Sequence, residues 1–179
     1  MVILGIDPGA RATGYGLLAG SANRAAFVAA GVIRPPARAP LAERLFAIDQ
    51  ALRALVARHA PAEVAVESVF HARSARSAIV LGHARGIALL AAASGGARVA
   101  EYAPREIKMA VTGSGGASKD QVRAMVQRLL ATPERLALDA ADALAVALCH
   151  VYRMESHALF ARAGVMAGAQ GSGPRGRGR

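Results

Sequence analysis

The feature that most constrains the fold is a change in the spacing of apolar residues along the chain. Three short apolar runs come first, VILGID, Tyr15 to Ala19 and Phe27 to Ile33, and the turn-rich segment PGARATGYG follows the first of them. Glycine and proline favour tight turns, so we expect a three-strand antiparallel meander. Segments with helical spacing then alternate with strand-like runs. Since strands returned through helices run parallel to their predecessors, the sequence predicts an α/β three-layer sandwich with a mixed sheet.

Beyond the meander, the periodicity predicts two further strands and a series of helices. Apolar positions from Leu41 to Leu55 recur with the helical period until Pro61 ends the element. The other predicted helices lie in SARSAIVLGHARGIALLAAAS, PREIKMAV, KDQVRAMVQRLLA and ERLALDAADALAVALCH, and the later strands lie in AEVAVESVF and ARVAEYA. Periodicity fades after about Met154. We therefore expect one folded domain over residues 1–155 and a flexible basic tail over residues 156–179.

The charge of the chain favours a polyanionic partner. The net charge is +10 at pH 7, and such a positive field attracts nucleic acid. The single cysteine, Cys149, cannot form an internal disulfide and fits a reducing compartment, where we expect it to be a small buried side chain. No signal peptide is visible, and no uninterrupted apolar stretch approaches the ~20 residues of a membrane span. The expected location is the cytoplasm.

Two of the chain's five aspartates, Asp139 and Asp142, lie three residues apart in an alanine-rich segment that reads as helix. Residues with this spacing share one helical face, so their carboxylates repel each other. At an effective dielectric near 20, two carboxylates about 4 Å apart cost on the order of 4 kcal/mol. Either one carboxylate takes a proton or a cation lies between them. We therefore expect a divalent metal ion such as Mg²⁺ to relieve the repulsion between the two carboxylates.

Two more acids stand at the ends of predicted strands. Asp7 ends the first apolar run directly before a glycine turn, and Glu67 lies in the apolar run VAVES. Strand ends and a helix face can converge in such a fold, and four carboxylates could hold two Mg²⁺ ions through hard oxygen ligands. Two metals about 3.5–4 Å apart assist in-line phosphoryl displacement. Together with the positive charge, this pattern points to a nuclease.

Plainer explanations of these acids stay open. Acids near a helix N-terminus complement the dipole and cap free N–H groups, which would account for Asp139 and Asp142. An aspartate before Pro-Gly is also common in simple turns, which would account for Asp7. The coincidence with Glu67 in an apolar strand favours the metal site.

Four segments resemble the signature blocks of the RuvC family of Holliday-junction resolvases. They are GIDPGARATGYG, ESVFHARSARSAIVLGHARG, KMAVTGSGGASKDQV and LDAADALAVALCH, in the family's order and within about residues 1–151. The resemblance implies an RNase H-like fold with a mixed five-stranded sheet, acting as a homodimer that nicks two opposite strands of a four-way DNA junction symmetrically with Mg²⁺. It also implies a role in recombination and repair beside the RuvA–RuvB branch-migration complex.

The resemblance also assigns roles to individual residues. The family's catalytic and metal-binding acids correspond to Asp7, Glu67, Asp139 and Asp142. Its junction-contacting aromatic residue corresponds to Phe70, and its two basic residues near the scissile strand correspond to Lys108 and Lys119. The implied reaction is hydrolysis that leaves a 5′-phosphate and a 3′-hydroxyl, with Lys119 or Lys108 stabilising charge on the phosphate and two Mg²⁺ ions, or alternatively Mn²⁺, at each site.

The residues themselves support some of these roles. Twenty of the 22 basic residues are arginine, and the only lysines, Lys108 and Lys119, flank the glycine-rich loop. A lysine is a compact point charge suited to a phosphate, although the arginine bias of the chain could have left these two lysines by chance. Phe70 could stack on bases or simply close the core. Ser74 stands where many family members have asparagine, which leaves the preferred cleavage sequence open.

The two-fold symmetry of a junction predicts a C₂ dimer with two identical pockets. The segment from about Arg76 to Ala93 carries a strip of small residues, Ala78, Gly82 and Gly86, that would let a partner helix approach closely. The same strip could instead pack on its own sheet. Two other functions are weighed: a module that binds branched DNA without cutting it, and a relative of actin-like phosphotransferases, which the opening segment also resembles. His71 and His83 are expected in solvent or in a groove, because hard metals prefer oxygen.

Overall fold

The computed structural model describes residues 1–20, 25–68, 74–132 and 135–169, with the side chains as far as residue 160. The elements follow in the predicted order of strands and helices. They are β1 (Val2–Asp7), β2 (Thr13–Ala19), β3 (Ala26–Ile33), α1 (Leu41–His59), β4 (Glu63–Glu67), α2 (Ala75–Ser94), β5 (Arg98–Tyr102), α3 (Pro104–Thr112), α4 (Lys119–Leu130) and α5 (Leu138–Ala169).

The five strands form one mixed sheet in the order β3-β2-β1-β4-β5. The hairpin-linked strands β1, β2 and β3 pair antiparallel, whereas β4 pairs parallel to β1 and β5 pairs parallel to β4. This topology confirms the predicted mixed five-stranded sheet. It also places the carboxyl ends of β1 and β4 side by side at one edge of the sheet.

Helices cover both faces of the sheet, and the strands bury alternate residues on each face. Ile3 and Leu18 pack against a cluster contributed by α3, α4 and α5. Leu4, Leu17 and Val64 pack on the opposite face against α1 and α2. Because successive strand residues point to opposite faces, each central strand contributes to both cores. The predicted three-layer sandwich is confirmed.

Helix α5 lies directly on the centre of the sheet, where glycines remove the side chains that would hold it away. A Cβ added at Gly14 would lie 2.6 Å from the carbonyl carbon of Asp139, and one added at Gly5 would lie 2.8 Å from the nitrogen of Ala147. From Ala143 to Cys149 no residue of the helix is more than 2% exposed. The small residues on both surfaces therefore bring the start of α5 to the edge where β1 ends.

Helix α5 continues to Ala169, past the point near Met154 where the apolar periodicity of the sequence fades. The extra turns carry exposed side chains such as Phe160, which is 77% exposed. The division into a folded domain over residues 1–155 and a basic tail over residues 156–179 stays a prediction, since residues 170–179 lie outside the described ranges.

Helix α2 has an open apolar side. By length and composition its 20 residues could cross a membrane, and 22% of this stretch is buried against the rest of the chain. Ile79 is 62% exposed and Leu90 is 54% exposed. A Cβ added at Gly82 or Gly86 would meet nothing within 4 Å. The small-residue strip therefore does not pack on its own sheet, which removes one of the two explanations offered by the sequence.

Candidate active site

Two acidic side chains meet at the edge of the sheet because neighbouring parallel strands end there. Asp7 is the last residue of β1 and Glu67 is the last residue of β4, and the residues just before them, Ile6 and Val66, are register partners. The two carboxyl groups are within hydrogen-bonding reach of each other. Burial, together with the negative charge of Glu67, raises the pKa of Asp7 to about 8. Burial also raises the pKa of Glu67.

These shifts mean that the pair carries less than its full negative charge. Two adjacent buried carboxylates cannot both ionise cheaply, so burial and mutual repulsion favour the protonated form of Asp7. The charge of Asp142 adds to the repulsion felt by both. Asp7, Glu67 and Asp142 are therefore close enough to act on one another, as the sequence predicted for acids at strand ends and on a helix face.

Asp142 has an ammonium partner from a different helix. The Nζ atom of Lys119, the first residue of α4, lies 2.5 Å from Oδ2 of Asp142 in α5. Burial opposes the charge of Lys119, but its hydrogen bond and ion pair with Asp142, aided by Asp7 and Glu67, leave its pKa raised. The carboxylate of Asp142 is only 15% exposed. The ammonium group thus neutralises a largely buried acid.

The start of α4 is fixed by a capping box. The Ser118 hydroxyl accepts a hydrogen bond from the Gln121 N–H, and the Gln121 side chain accepts one from the Ser118 N–H at 2.8 Å. These bonds satisfy N–H groups that a helix start leaves free. The capping box therefore sets the backbone of Lys119, whose long side chain reaches the acids.

Asp139 lies in the first turn of α5 and is half-buried. Its backbone carbonyl rests against Gly14, and Gly14 is the register partner of Asp7. Asp139 also shares a helical face with Asp142. Within the described ranges its carboxylate makes no ion pair. The backbone therefore brings Asp139 to the same edge of the sheet as the other three acids.

A small pocket joins the acids to both lysines. Its volume is about 180 Å³, and it is lined by Glu67, Asp142, Lys108, Lys119, Pro104, Ile107, Val122 and Ala145. The two lysines flank the loop between α3 and α4, as the sequence indicated. Their roles in contacting DNA stay predictions, but the fold does bring both of them beside the acids.

Other predicted residues have varied outcomes. Phe70 and His71 lie outside the described residues. Ser74 is the N-cap of α2, where its hydroxyl accepts a hydrogen bond from the Ser77 N–H at 3.2 Å. His83 is exposed on α2, and Cys149 is fully buried, as expected for each.

The donor set fits a hard divalent cation. In the ranges that the structure describes, no group of three His, Cys, Asp or Glu side chains is arranged to hold a metal ion. Instead, Lys119 forms an ion pair with Asp142, and the carboxyl groups of Asp7 and Glu67 are within hydrogen-bonding reach of each other. All the acids nevertheless offer oxygen, which Mg²⁺ and Mn²⁺ prefer. The buried, mutually repelling carboxylates are chemically suited to such an ion.

The sequence analysis missed the contacts that hold the loop after Asp7. The Thr13 hydroxyl donates to the Gly9 carbonyl at 2.8 Å. Arg44 of α1 donates to the carbonyl of Ala10 at 3.1 Å. A polar threonine inside an apolar strand could have signalled the first contact. No local pattern signals the second, because its partners lie far apart along the chain.

A mixed sheet in this order, with acids at the ends of its two central parallel-paired strands and at the start of the helix across it, defines an RNase H-like nuclease. The family comparison is more specific. The chain belongs to the RuvC family, because the family model described as crossover junction endodeoxyribonuclease RuvC matches residues 3–150. Enzymes of this family are metal-dependent nucleases.

Individual relatives agree with this assignment. The RuvC of Anaeromyxobacter sp. (strain Fw109-5) is 51% identical over 153 residues, covering 86% of this chain and 74% of the relative. The RuvC of Marinobacter nauticus is 47% identical over 163 residues, covering 91% and 93%. The curated relatives carry the name crossover junction endodeoxyribonuclease.

Solved structures show the same fold. T. thermophilus RuvC in complex with a Holliday junction substrate superposes with a TM-score of 0.80 at 35% identity, covering 87% of this chain and 96% of that one. The yeast mitochondrial Holliday junction resolvase Ydc2 has a TM-score of 0.60 at 10% identity, covering 82% and 77%, and supports the fold alone.

Proposed function

We propose that this protein resolves four-way (Holliday) DNA junctions by paired symmetric nicks, through metal-dependent hydrolysis of phosphodiester bonds. The observation that carries the proposal is the convergence of Asp7, Glu67 and Asp142 with Lys108 and Lys119, in a chain of the RuvC family. A positively charged protein attracts DNA. A protein that only binds DNA would gain no affinity from a cluster of acids beside the bound backbone. The proposal therefore includes cutting as well as binding.

The chemistry divides between the acids and the lysines. Asp7, Glu67, Asp139 and Asp142 would hold two Mg²⁺ ions, with Mn²⁺ as the alternative, and such ions supply an activated water and neutralise the leaving oxygen. The lysines of the pocket bind the phosphate and stabilise the negative charge that develops on it. Hydrolysis adds water across one bond and leaves a 5′-phosphate and a 3′-hydroxyl.

Junction recognition needs contacts outside the acidic pocket. The solved T. thermophilus RuvC is bound to a Holliday junction, and its likeness to this chain supports the same substrate here. The net charge of +10 supplies attraction that does not depend on base sequence. Phe70 follows Glu67 closely in the chain, and we assign it the role of stacking on a base near the branch point.

The active form is a homodimer with α2 at its centre. The exposed strip formed by Ile79, Gly82, Gly86 and Leu90 supports this assignment, because glycines let a second helix approach closely while the larger side chains bury apolar area. A second copy of the chain fits the two-fold symmetry of the junction. The RuvA–RuvB complex is the proposed partner, and the cytoplasm is the proposed location.

Substrate choice tests this function. A mobile four-way junction and a linear duplex of the same sequence are incubated with the protein and Mg²⁺. Selective cutting of the junction is expected. Binding without cutting would support the branched-DNA-binding alternative, and consumption of ATP would support the phosphotransferase alternative.

A further inference from the structure

The ion pair between Lys119 and Asp142 occupies an acid that the proposed reaction needs for metal. Lys119 Nζ lies 2.5 Å from Asp142 Oδ2, a short, charge-assisted hydrogen bond. The lysine side chain is 63% exposed, whereas the carboxylate is 15% exposed. The contact thus joins an ammonium group on an exposed side chain to a carboxylate that is largely buried.

An ammonium group and a divalent ion cannot share this carboxylate without strong repulsion. Both are cations, and charges a few ångströms apart in a partly buried pocket are poorly screened. Lys119 also lies within electrostatic range of Asp7 and Glu67. It therefore partly neutralises the cluster to which a metal ion would be attracted.

The side chain of Lys119 can leave without disturbing the helix. Its backbone is held by the capping box of Ser118 and Gln121, and its four-carbon stem is mostly in solvent. The same pocket contains Lys108, the other lysine proposed to bind the phosphate. Releasing Asp142 would free the ammonium group to bind that phosphate.

We propose that Lys119 and the divalent ion compete for Asp142, so that Lys119 holds the acid while metal is absent and turns to the DNA phosphate once metal binds. The inference rests on the proposed function for the metal and the phosphate. It adds that Lys119 weakens metal binding while it assists the reaction. Loss of Lys119 should therefore strengthen metal binding and weaken junction cutting.

Metal affinity without DNA tests the competition. Mn²⁺ binding is measured by electron paramagnetic resonance, and Mg²⁺ binding by calorimetry, for the full chain and for Lys119→Met. We expect Lys119→Met to bind the ion about fivefold more tightly, the factor that the loss of one surface ion pair can supply. Lys119→Arg should restore the pair and return the affinity towards that of the unchanged chain.

Lys108→Met is the matched control. It removes an equal charge from the same pocket, but among the described residues Lys108 makes no ion pair with an acid. Its effect on metal affinity is expected to stay below about twofold. Thermal melting shows whether each variant is folded before binding is measured.

A double variant identifies the acid involved. In an Asp142→Asn background, Lys119→Met should strengthen binding no more than Lys108→Met does. The inference is wrong if Lys119→Met binds metal no more tightly than Lys108→Met, or if its gain persists without Asp142. These binding experiments use no DNA. A failure of junction cutting would therefore overturn the proposed function, while the measured metal affinities would still test the competition for Asp142.

Discussion

The phenol oxygen of Tyr102 lies 2.7 Å from Nδ1 of His150, and this hydrogen bond joins the last residue of β5 to helix α5. The other ring nitrogen of His150 lies 3.4 Å from a buried carboxylate oxygen of Glu63, at the start of β4. Glu63 in turn forms an ion pair with Arg98. Because Tyr102 is also the register partner of Glu67, the network connects strand β4, which ends at Glu67, to the helix that carries Asp142.

Protonation of His150 removes a stabilising contribution of this network in mild acid, whereas Asp7, whose pKa burial raises to about 8, contributes in the opposite direction over the same range. Burial lowers the pKa of His150 below the ordinary value of 6.5, although Glu63 opposes the shift and Arg98 adds to it. A proton is then taken up more readily by the unfolded chain. The stabilising contribution is complete above pH 6.5 and is lost as the pH falls through the folded pKa.

Thermal melting between pH 7.5 and 5.5 measures the effect. The difference in melting temperature between the unchanged chain and His150→Gln should narrow as the pH falls over this range, starting from a cost of about 1–3 kcal/mol at neutral pH for the disrupted buried hydrogen bond. The exposed His157, further along the same helix, supplies the control, and His157→Gln should keep the pH dependence of the unchanged chain. An unchanged slope in His150→Gln would assign the pH response to other groups.

Neutral replacements at the two strand ends should separate cutting from binding. Asp7→Asn and Glu67→Gln keep the shape of each side chain but remove a metal ligand, so we expect junction cutting to fall by at least about a thousandfold. Gel-shift affinity for the junction in low Mg²⁺ should be unchanged or higher, since neither substitution removes a positive charge that attracts the DNA backbone. Cutting retained by either variant would remove that carboxylate from the mechanism.

The close approach of α5 predicts a sensitive position at Gly14. Gly14→Ala would place a methyl group against the carbonyl of Asp139 and push the first turn of the helix away from Asp7. We expect a loss of about 1–3 kcal/mol in the free energy of unfolding, as for other overpacked sites. The rate of junction cutting should also fall, even under conditions in which the Gly14→Ala variant is fully folded.

Gly116→Ala is the control for this prediction, because the nearest atom to an added Cβ there is 3.9 Å away. Urea denaturation gives the free energy of both variants. Equal stability and equal cutting in Gly14→Ala and the unchanged chain would show that α5 is not held by this contact.

The open side of α2 predicts where a dimer can be broken. Leu90→Asp and Ile79→Asp place a charge on side chains that are 54% and 62% exposed in the single chain, so folding should be little affected. Burying that charge between two copies is unfavourable. We expect the dissociation constant of the dimer to rise by about a hundredfold, as measured by sedimentation velocity at micromolar protein.

Phe46 of α1 offers a closely matched comparison for the dimer. It is also 62% exposed, but it lies on a different helix from Ile79 and Leu90, so Phe46→Asp should leave the dimer intact. A chain that sediments as a monomer before any change, or a dimer that survives Leu90→Asp, would contradict the assignment of α2 to the interface.

The sequence predicted those parts of the fold and site that follow from local spacing. Alternating apolar residues gave the strands, helical periodicity gave the helices, and Asp7 and Glu67 could be placed because parallel strands end at one edge of a sheet. The aspartates of α5 share a face for the same kind of reason. These features depend on residues that are near each other in the chain or on a rule of sheet topology.

The contacts that no local pattern contains could not be predicted. Lys119 of α4 contacts Asp142 of α5, and His150 is hydrogen-bonded to Tyr102, 48 residues earlier in the chain. The length of α5 was also missed, because its last turns are exposed and lack an apolar stripe. Such features depend on how the elements pack, which only the three-dimensional structure provides.

The most direct test follows each strand of a labelled mobile four-way junction on a denaturing gel. With Mg²⁺, the unchanged chain should produce symmetric nicks in two opposite strands, whereas Asp7→Asn, or the unchanged chain in chelator, should produce none. A linear duplex of the same sequence should stay intact. An intact junction after incubation with the folded, dimeric, Mg²⁺-loaded chain would contradict junction resolution, and equal cutting by Asp7→Asn would contradict the acidic site.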